Sequence, residues 1–259
     1  MNISPALHGS MQLQSVSLTY GSRTVIGDLT LDIRPGEILS VVGPSGCGKT
    51  TSLRLLAGLT KPTSGTVAVS GKPLTEPQRD VAIVFQDYGK ALLPWRTAYG
   101  NVALALEAMG VPKAEFPDRI HALLDLIGLE KHAQSYPGQM SGGMQQRVQI
   151  ARALAQEPKV LLMDEPFGAL DAMTRQTLQD ELLTLSARTG VTIYFVTHDL
   201  EEAIYLSDRV VGLLPNPGRI GKVFDIALPR PRHQLTTRED RQFLEIRHAL
   251  YEFVTGAEH

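Results

Sequence analysis

The sequence is poor in cysteine and in aromatic residues, and it has no long apolar run. Cys47 is the one cysteine among 259 residues, so neither an internal disulfide nor a cysteine metal cluster can form, which suits a reducing compartment. No stretch approaches the roughly 18 consecutive apolar residues that argue for a membrane-spanning helix. The longest runs are fragments such as residues 160–163, so any membrane role would be played through a partner. An excess of one charge is also missing: 25 basic side chains stand against 27 acidic ones, a formal net charge of −2. That balance carries no signature of a nucleic-acid binder. The opening MNISPALHGSMQLQ lacks the basic start and apolar core of a signal peptide, so the chain is expected in the cytoplasm. What is present, 43% hydrophobic and 20% charged residues, is the balance of a globular protein and excludes a disordered or fibrous chain. The length allows one large domain, or one domain with a small appendage.

Residues 11–42 read as short strands with turns. Leu29, Leu31 and Ile33 alternate with polar neighbours, and Arg34-Pro35-Gly36-Glu37 turns the chain into the apolar run 38–42. Val67 and Val69 alternate again between Ser64-Gly65 and Ser70-Gly71. Antiparallel strands beside one buried strand that feeds a helix fit this first third. Four further apolar runs, at 81–85, 160–163, 191–196 and 210–214, are separated by helical patterning. Such alternation predicts an α/β fold with a mainly parallel sheet and crossover helices. Phe116, Ile120, Leu123, Leu124 and Ile127 share one helical face that stops at Gly128. Residues 97–140 carry little strand character, so a helical subdomain over about 97–158 is expected inside a main domain of 11–240. After Pro215 the prolines at 215, 217, 229 and 231 predict a loop, and Phe243, Ile246 and Leu250 mark a last amphipathic helix in a tail of 241–259.

Gly43-Pro44-Ser45-Gly46-Cys47-Gly48-Lys49-Thr50 fits G-x-x-x-x-G-K-[ST] and stands between a buried strand and a helical pattern, the frame in which that motif binds phosphate. The glycines let successive backbone N–H groups converge on one anion, and a helix N-terminus adds a favourable dipole. Lys49 supplies a charge toward the outer phosphates, Thr50 offers an oxygen to Mg²⁺, and Thr51 continues the first helical turn. Val160-Leu161-Leu162-Met163-Asp164-Glu165 is an apolar strand ending in two carboxylates. It would deliver Asp164 to the metal and place Glu165 to polarise a water against a terminal phosphate. A second anion site is expected where Ser141, Gly142 and Gly143 open a helix with Val148, Ala151 and Leu154 on one face.

Met140-Ser141-Gly142-Gly143-Met144-Gln145-Gln146-Arg147 resembles the signature motif of ABC-type ATPases. Further motifs of that family stand in the expected order. Tyr20 resembles the aromatic that stacks on adenine, Gln86 the Q-loop glutamine, Gly168-Ala169-Leu170-Asp171 the D-loop, and His198 the switch histidine. The resemblance covers roughly residues 11–214. Met140 and Met144 stand where Leu and Gln are more usual, and Gly168 where Ser is common, which touches the D-loop's bonding between subunits. The resemblance implies a P-loop NTPase core with an N-terminal antiparallel β subdomain and an α-helical subdomain. It implies ATP and Mg²⁺ as cofactors, with Thr50, Gln86 and Asp164 at the metal. Two subunits would meet head to tail, each ATP lying between Lys49 of one and Ser141 of the other, with Asp171 near it. Glu165 would act as base, His198 would contact the γ-phosphate, and Gln86 would link metal, water and partner. Asp199-Leu200-Glu201-Glu202 reads as a capping box that leaves His198 free.

Leu92-Leu93-Pro94-Trp95, within the stretch 86–97, resembles the segment after the Q-loop in ATPases of nitrate, sulfonate and taurine-type importers. It implies a surface for a separate transmembrane permease, an extracytoplasmic solute-binding protein acting through it, and a peripheral position on the cytoplasmic face of the inner membrane. Trp95 as ordinary core of the insert is the competing reading. A non-transport ABC ATPase acting on nucleic acid or the ribosome fits less well. Such proteins usually carry two cassettes or a long coiled coil, and this chain has one cassette and no sustained heptads. The transported solute is not readable.

Overall fold

The computed structural model describes residues 8–86 and 91–257. The opening seven residues, the last two of the expected tail, and Asp87, Tyr88, Gly89 and Lys90 of the importer-like stretch lie outside them. The short strands expected over 11–42 are two long ones and a short one. β1 (Met11–Tyr20) and β2 (Arg23–Ile33) form an antiparallel hairpin. β1 also pairs with β4 (Ser64–Val69), and β5 (Lys72–Pro73) ends a four-stranded sheet of order β2-β1-β4-β5.

The second sheet has six strands in the order β10-β9-β3-β8-β7-β6. β3 (Ile38–Val42), β6 (Val81–Val84), β7 (Val160–Asp164), β8 (Thr192–Val196) and β9 (Arg209–Leu214) run parallel. Because strand side chains alternate between faces, each apolar run serves two cores. Ile38, Val42, Leu161, Met163, Ile193 and Phe195 face the helices on one side. Leu39, Val41, Val160, Leu162, Tyr194 and Val196 face the antiparallel sheet and α1 (Lys49–Leu56) on the other. One expectation is overturned at the edge: the segment after Pro215, read as a loop, contains β10 (Arg219–Asp225), antiparallel to β9.

The helices α2 (Ala98–Met109), α3 (Phe116–Leu126) and α4 (Gly142–Leu154) pack on one another around Val102, Leu106, Ile120, Leu124, Val148 and Ala151. Ile150 and Leu154 on α4 reach the main core, so this helix joins the helical region to the sheet. α5 (Ala172–Thr189) and α6 (Leu200–Leu206) cover the parallel sheet, and the short α7 (Thr236–Glu239) leads into α8 (Arg241–Gly256). The Phe253 ring on α8 lies so close to Gly212 and Gly221 that a β-carbon at either would collide with it.

Glu37 joins the two sheets. Its buried carboxylate accepts from Nε and Nη2 of Arg209 and from the Arg34 N–H (2.8 Å), while Arg209 Nη2 also donates to the Asp32 carbonyl at 2.6 Å. Removing one partner of such a pair leaves a charge uncompensated in the interior, which costs several kcal/mol. Arg209→Ala is therefore expected to lower unfolding stability by roughly 3 kcal/mol, read as a drop in the urea midpoint at unchanged slope.

Candidate functional site

Parallel strands deliver their C-terminal ends to one rim of the sheet, where open α/β folds take ligands. β3 opens there into the loop 43–48. Gly43 (φ 150°) cannot carry a side chain, because a β-carbon would lie 2.6 Å from the Leu213 carbonyl and 2.9 Å from Cys47 Sγ. Gly48 (φ 101°) caps α1 with no side-chain hydrogen bond, leaving the first N–H groups of that helix without a side-chain cap. Pro44 and Cys47 are buried, whereas Ser45 and Gly46 face solvent. The Cys47 side chain points under the loop, and burial pushes its thiol up despite the nearby Lys49. Lys49 Nζ donates to the carbonyls of Gly43 (2.7 Å) and Pro44 (3.0 Å), folding its charge back over the loop. Beneath the helix start, Ser52 Oγ and the buried Tyr194 hydroxyl lie 2.7 Å apart and tie α1 to β8.

β7 brings Asp164 to this loop. Thr50 donates its hydroxyl to Asp164 at 3.2 Å, so two hard oxygen ligands stand side by side. Burial pushes the Asp164 carboxyl up, the more so because Glu165 is next to it, while Thr50, Arg54 and Lys49 oppose the rise. Among the described residues no group of three His, Cys, Asp or Glu side chains could hold an ion. A sparse, oxygen-only pair of an exposed hydroxyl and a half-buried carboxylate fits Mg²⁺, which usually takes one or two protein ligands and completes its shell with water and substrate phosphates.

Glu165 is the point at which strand ends meet. Its Oε2 accepts from Gln86 Nε2 at 3.1 Å and lies 3.1 Å from His198 Nδ1, uniting residues that follow β6, β7 and β8. Its backbone is left-handed (φ 43°), an uncommon conformation for a glutamate and of the kind that collects at functional sites. The capping box expected at 199–202 is only half formed. Asp199 accepts from the N–H groups of Glu201 (3.0 Å) and Glu202 (3.1 Å), but Glu202 does not reach back. Its buried side chain instead accepts from the Thr197 hydroxyl (2.6 Å) and Gln179 Nε2 (3.0 Å), and the Asp199 N–H is taken by Thr197.

Other candidates stand apart from this cluster. Tyr20, at the end of β1, is 56% exposed. Ser141 caps α4 by accepting from the Met144 N–H at 3.3 Å, and Gly142 and Gly143 follow in its first turn. Among the described residues no hydrogen bond joins 141–143 to the phosphate loop. Asp171 caps α5 through the Thr174 N–H (3.0 Å), which draws its carboxyl below the usual range. Thr51 is half-buried in the first turn of α1. Trp95 is 71% exposed, which removes the reading of it as core. Its loop is fixed from behind by the buried Asn101, whose amide accepts from the Leu93 N–H and donates to the carbonyls of Leu93, Arg96 and Thr97 at 2.8–3.1 Å. The sequence reading missed Asn101; the signal was a lone amide in an otherwise apolar helix.

Comparisons with known proteins identify the family. Residues 26–168 match the family described as ABC transporter. The chain is 46% identical over 237 residues to the nitrate import ATP-binding protein NrtC of Synechococcus elongatus, covering 90% of this chain but 36% of that protein's length. To the bicarbonate transport ATP-binding protein CmpD of a Synechocystis strain it is 43% identical, over 94% of this chain and 88% of the relative. A dimeric ATP-binding cassette solved with ADP and phosphate superposes with a TM-score of 0.73 at 33% identity, over 83% of this chain and 98% of that one. The matched span runs from β2 through the phosphate loop, Gln86 and the 141–143 turn to Asp164 and Glu165, and on that extent the chain belongs to the ABC transporter family.

Proposed function

We propose that this chain is the ATP-binding and ATP-hydrolysing subunit of an importer that drives uptake of a small solute through a separate membrane permease. The observation that carries the hydrolytic part is the convergence of Gln86 and His198 on one oxygen of Glu165 beside the phosphate loop. Gly43, Gly46 and Gly48, with the backbone N–H groups of Ser45, Cys47 and Thr51, cradle the phosphates in a loop that Pro44 helps to shape, and Lys49 swings from its own loop carbonyls onto them. Tyr20 offers its exposed ring to the adenine. Thr50 and Asp164, with Gln86, hold Mg²⁺, which when bound offsets phosphate charge. Glu165 orients and deprotonates the attacking water, and His198 donates to the γ-phosphate.

Each chain holds half of two sites: Ser141 to Gly143 open their own helix, and among the described residues no hydrogen bond joins them to their own phosphate loop. The complete unit is a homodimer in which Ser141 of the partner subunit closes over the nucleotide, with Asp171 at the junction. The helical region of about 97–158 acts as a subdomain within 11–240, and 241–259 as a tail. The exposed Trp95 loop, hydrogen-bonded from behind by Asn101, supports a permease docking surface, and the names of the relatives support an importer. Nitrate and bicarbonate in those names are small oxyanions, which favours a solute of nitrate, sulfonate or taurine type, delivered by an extracytoplasmic binding protein. The chain would sit peripherally on the cytoplasmic face of the inner membrane; no helix among the described residues is long and apolar enough to cross it.

Glu165→Gln is expected to keep ATP binding and nucleotide-dependent dimerisation while turnover falls by about 10²–10⁴-fold, the range for a lost general base. Steady-state phosphate release and sizing with ATP read the two effects; retained turnover refutes the role. The same variant, immobilised with ATP and exposed to detergent-solubilised native membranes, should capture a polytopic permease identifiable by mass spectrometry, whereas ribosomal or nucleic-acid proteins would overturn the importer reading. Asp164→Asn should lose Mg²⁺-dependent turnover yet unfold at a higher temperature in the absence of nucleotide. The native carboxyl holds its proton more tightly than in the unfolded chain, so wild-type stability falls as pH rises past the ordinary carboxylate range and the penalty is fully present at neutral pH. Melting curves of both proteins should therefore diverge at pH 7 and converge in acid.

A further inference from the structure

His198 presents a problem of positioning. Its side chain is 66% exposed and, among the described residues, its one polar contact is with Glu165, so its aim depends on the backbone of the turn that carries it. That turn is gripped on both sides by α5. Arg175 Nη1 pairs with Asp199 Oδ2 at 3.3 Å, and Gln179, one helical turn later, donates to Glu202, which in turn binds Thr197. Arg175 Nη2 also donates to the Leu170 carbonyl at 3.1 Å, inside the 168–171 loop. The residue before it, Thr174, has its methyl against Gly143 so closely that a β-carbon there could not fit. One helical turn therefore touches the 141–143 turn, the loop before α5, and the residue after His198.

We propose that Arg175 is a positioning residue that fixes the aim of His198 by tying Asp199 to the carbonyl of Leu170. Through it, displacement of the 168–171 loop in the paired subunits moves the histidine onto or off its target. A guanidinium suits this task because its planar fork holds two acceptors at a set angle, which an ammonium does not. Asp199 cannot drift independently, since its other oxygen is pinned by two N–H groups of α6. The proposal rests on the role given to His198 above, and its test separates the two.

The test is a double-mutant cycle on the full chain, with ATP turnover measured at a protein concentration where specific activity no longer rises. Arg175→Ala is expected to lower kcat by between about 10- and 100-fold, the scale of a misplaced catalytic group. KM for ATP should stay within about two-fold, because nucleotide binding is untouched. Arg175→Lys, which keeps the charge but lacks the fixed planar fork, should fall between wild type and Arg175→Ala. The decisive arm is His198→Ala: if Arg175 acts through the histidine, adding Arg175→Ala to His198→Ala should cost no more than about a further two-fold. Losses that multiply, or a KM that rises with a fall in melting temperature, would overturn the proposal in favour of a merely structural ion pair. Full turnover in His198→Ala alone would refute the role of the histidine and the proposal with it, whereas normal non-additivity with no import would fault only the transport reading.

Discussion

The parallel register of β6, β7, β8 and β3 is the constraint on which everything else depends. Val84 pairs with Met163, Asp164 with Val196, and Val41 with Val196. Four chain segments far apart in sequence thus end at nearly one level, and the first or second residue after each end reaches the same rim. Gln86, Glu165, His198 and the phosphate loop owe their proximity to that common level and not to any bond among them. A slip of one residue in any strand would turn its side chains to the opposite core and the polar group that follows it away from the rim. Such a slip is costly because both faces of these strands are packed.

Much of this was legible in the sequence, for identifiable reasons. Strands buried on both faces are written as continuous apolar runs, and the glycine-rich loop sits between such a run and a helix, so fold class and phosphate loop can be read directly. β10 could not be, because an edge strand buries little: of its seven residues only Phe224 is buried, and Arg219, Gly221 and Lys222 look like loop. The glutamate–arginine tie between Glu37 and Arg209 spans 172 positions and has no local trace. The same holds for the meeting of Gln86 and His198 at Glu165, which needs the strand order, and for Asp199 and Glu202, where a spacing that suggests one reciprocal cap serves two different partners. Tyr194 was a missed hint, since a tyrosine inside a buried strand calls for a partner for its hydroxyl.

The polar groups at the rim satisfy one another. Lys49 is held by its own loop, Thr50 by Asp164, and Glu165 by Gln86 and His198. Each of these bonds is of the modest strength expected when protein partners replace water, and each group exchanged for a phosphate or cation would gain a charge-assisted contact in return. Ser141, by contrast, is engaged with its own helix, accepting from the Met144 N–H.

The left-handed backbone at Glu165 has a bearing on how the protein could be engineered. A side chain of this kind in that conformation costs roughly 1–2 kcal/mol that glycine would not incur, and asparagine would bear it more easily. Replacement there relaxes the fold while removing the carboxylate on which Gln86 and His198 converge. A screen that rewards yield or heat resistance alone would enrich such variants, and would not register the loss of the carboxylate that gathers Gln86 and His198.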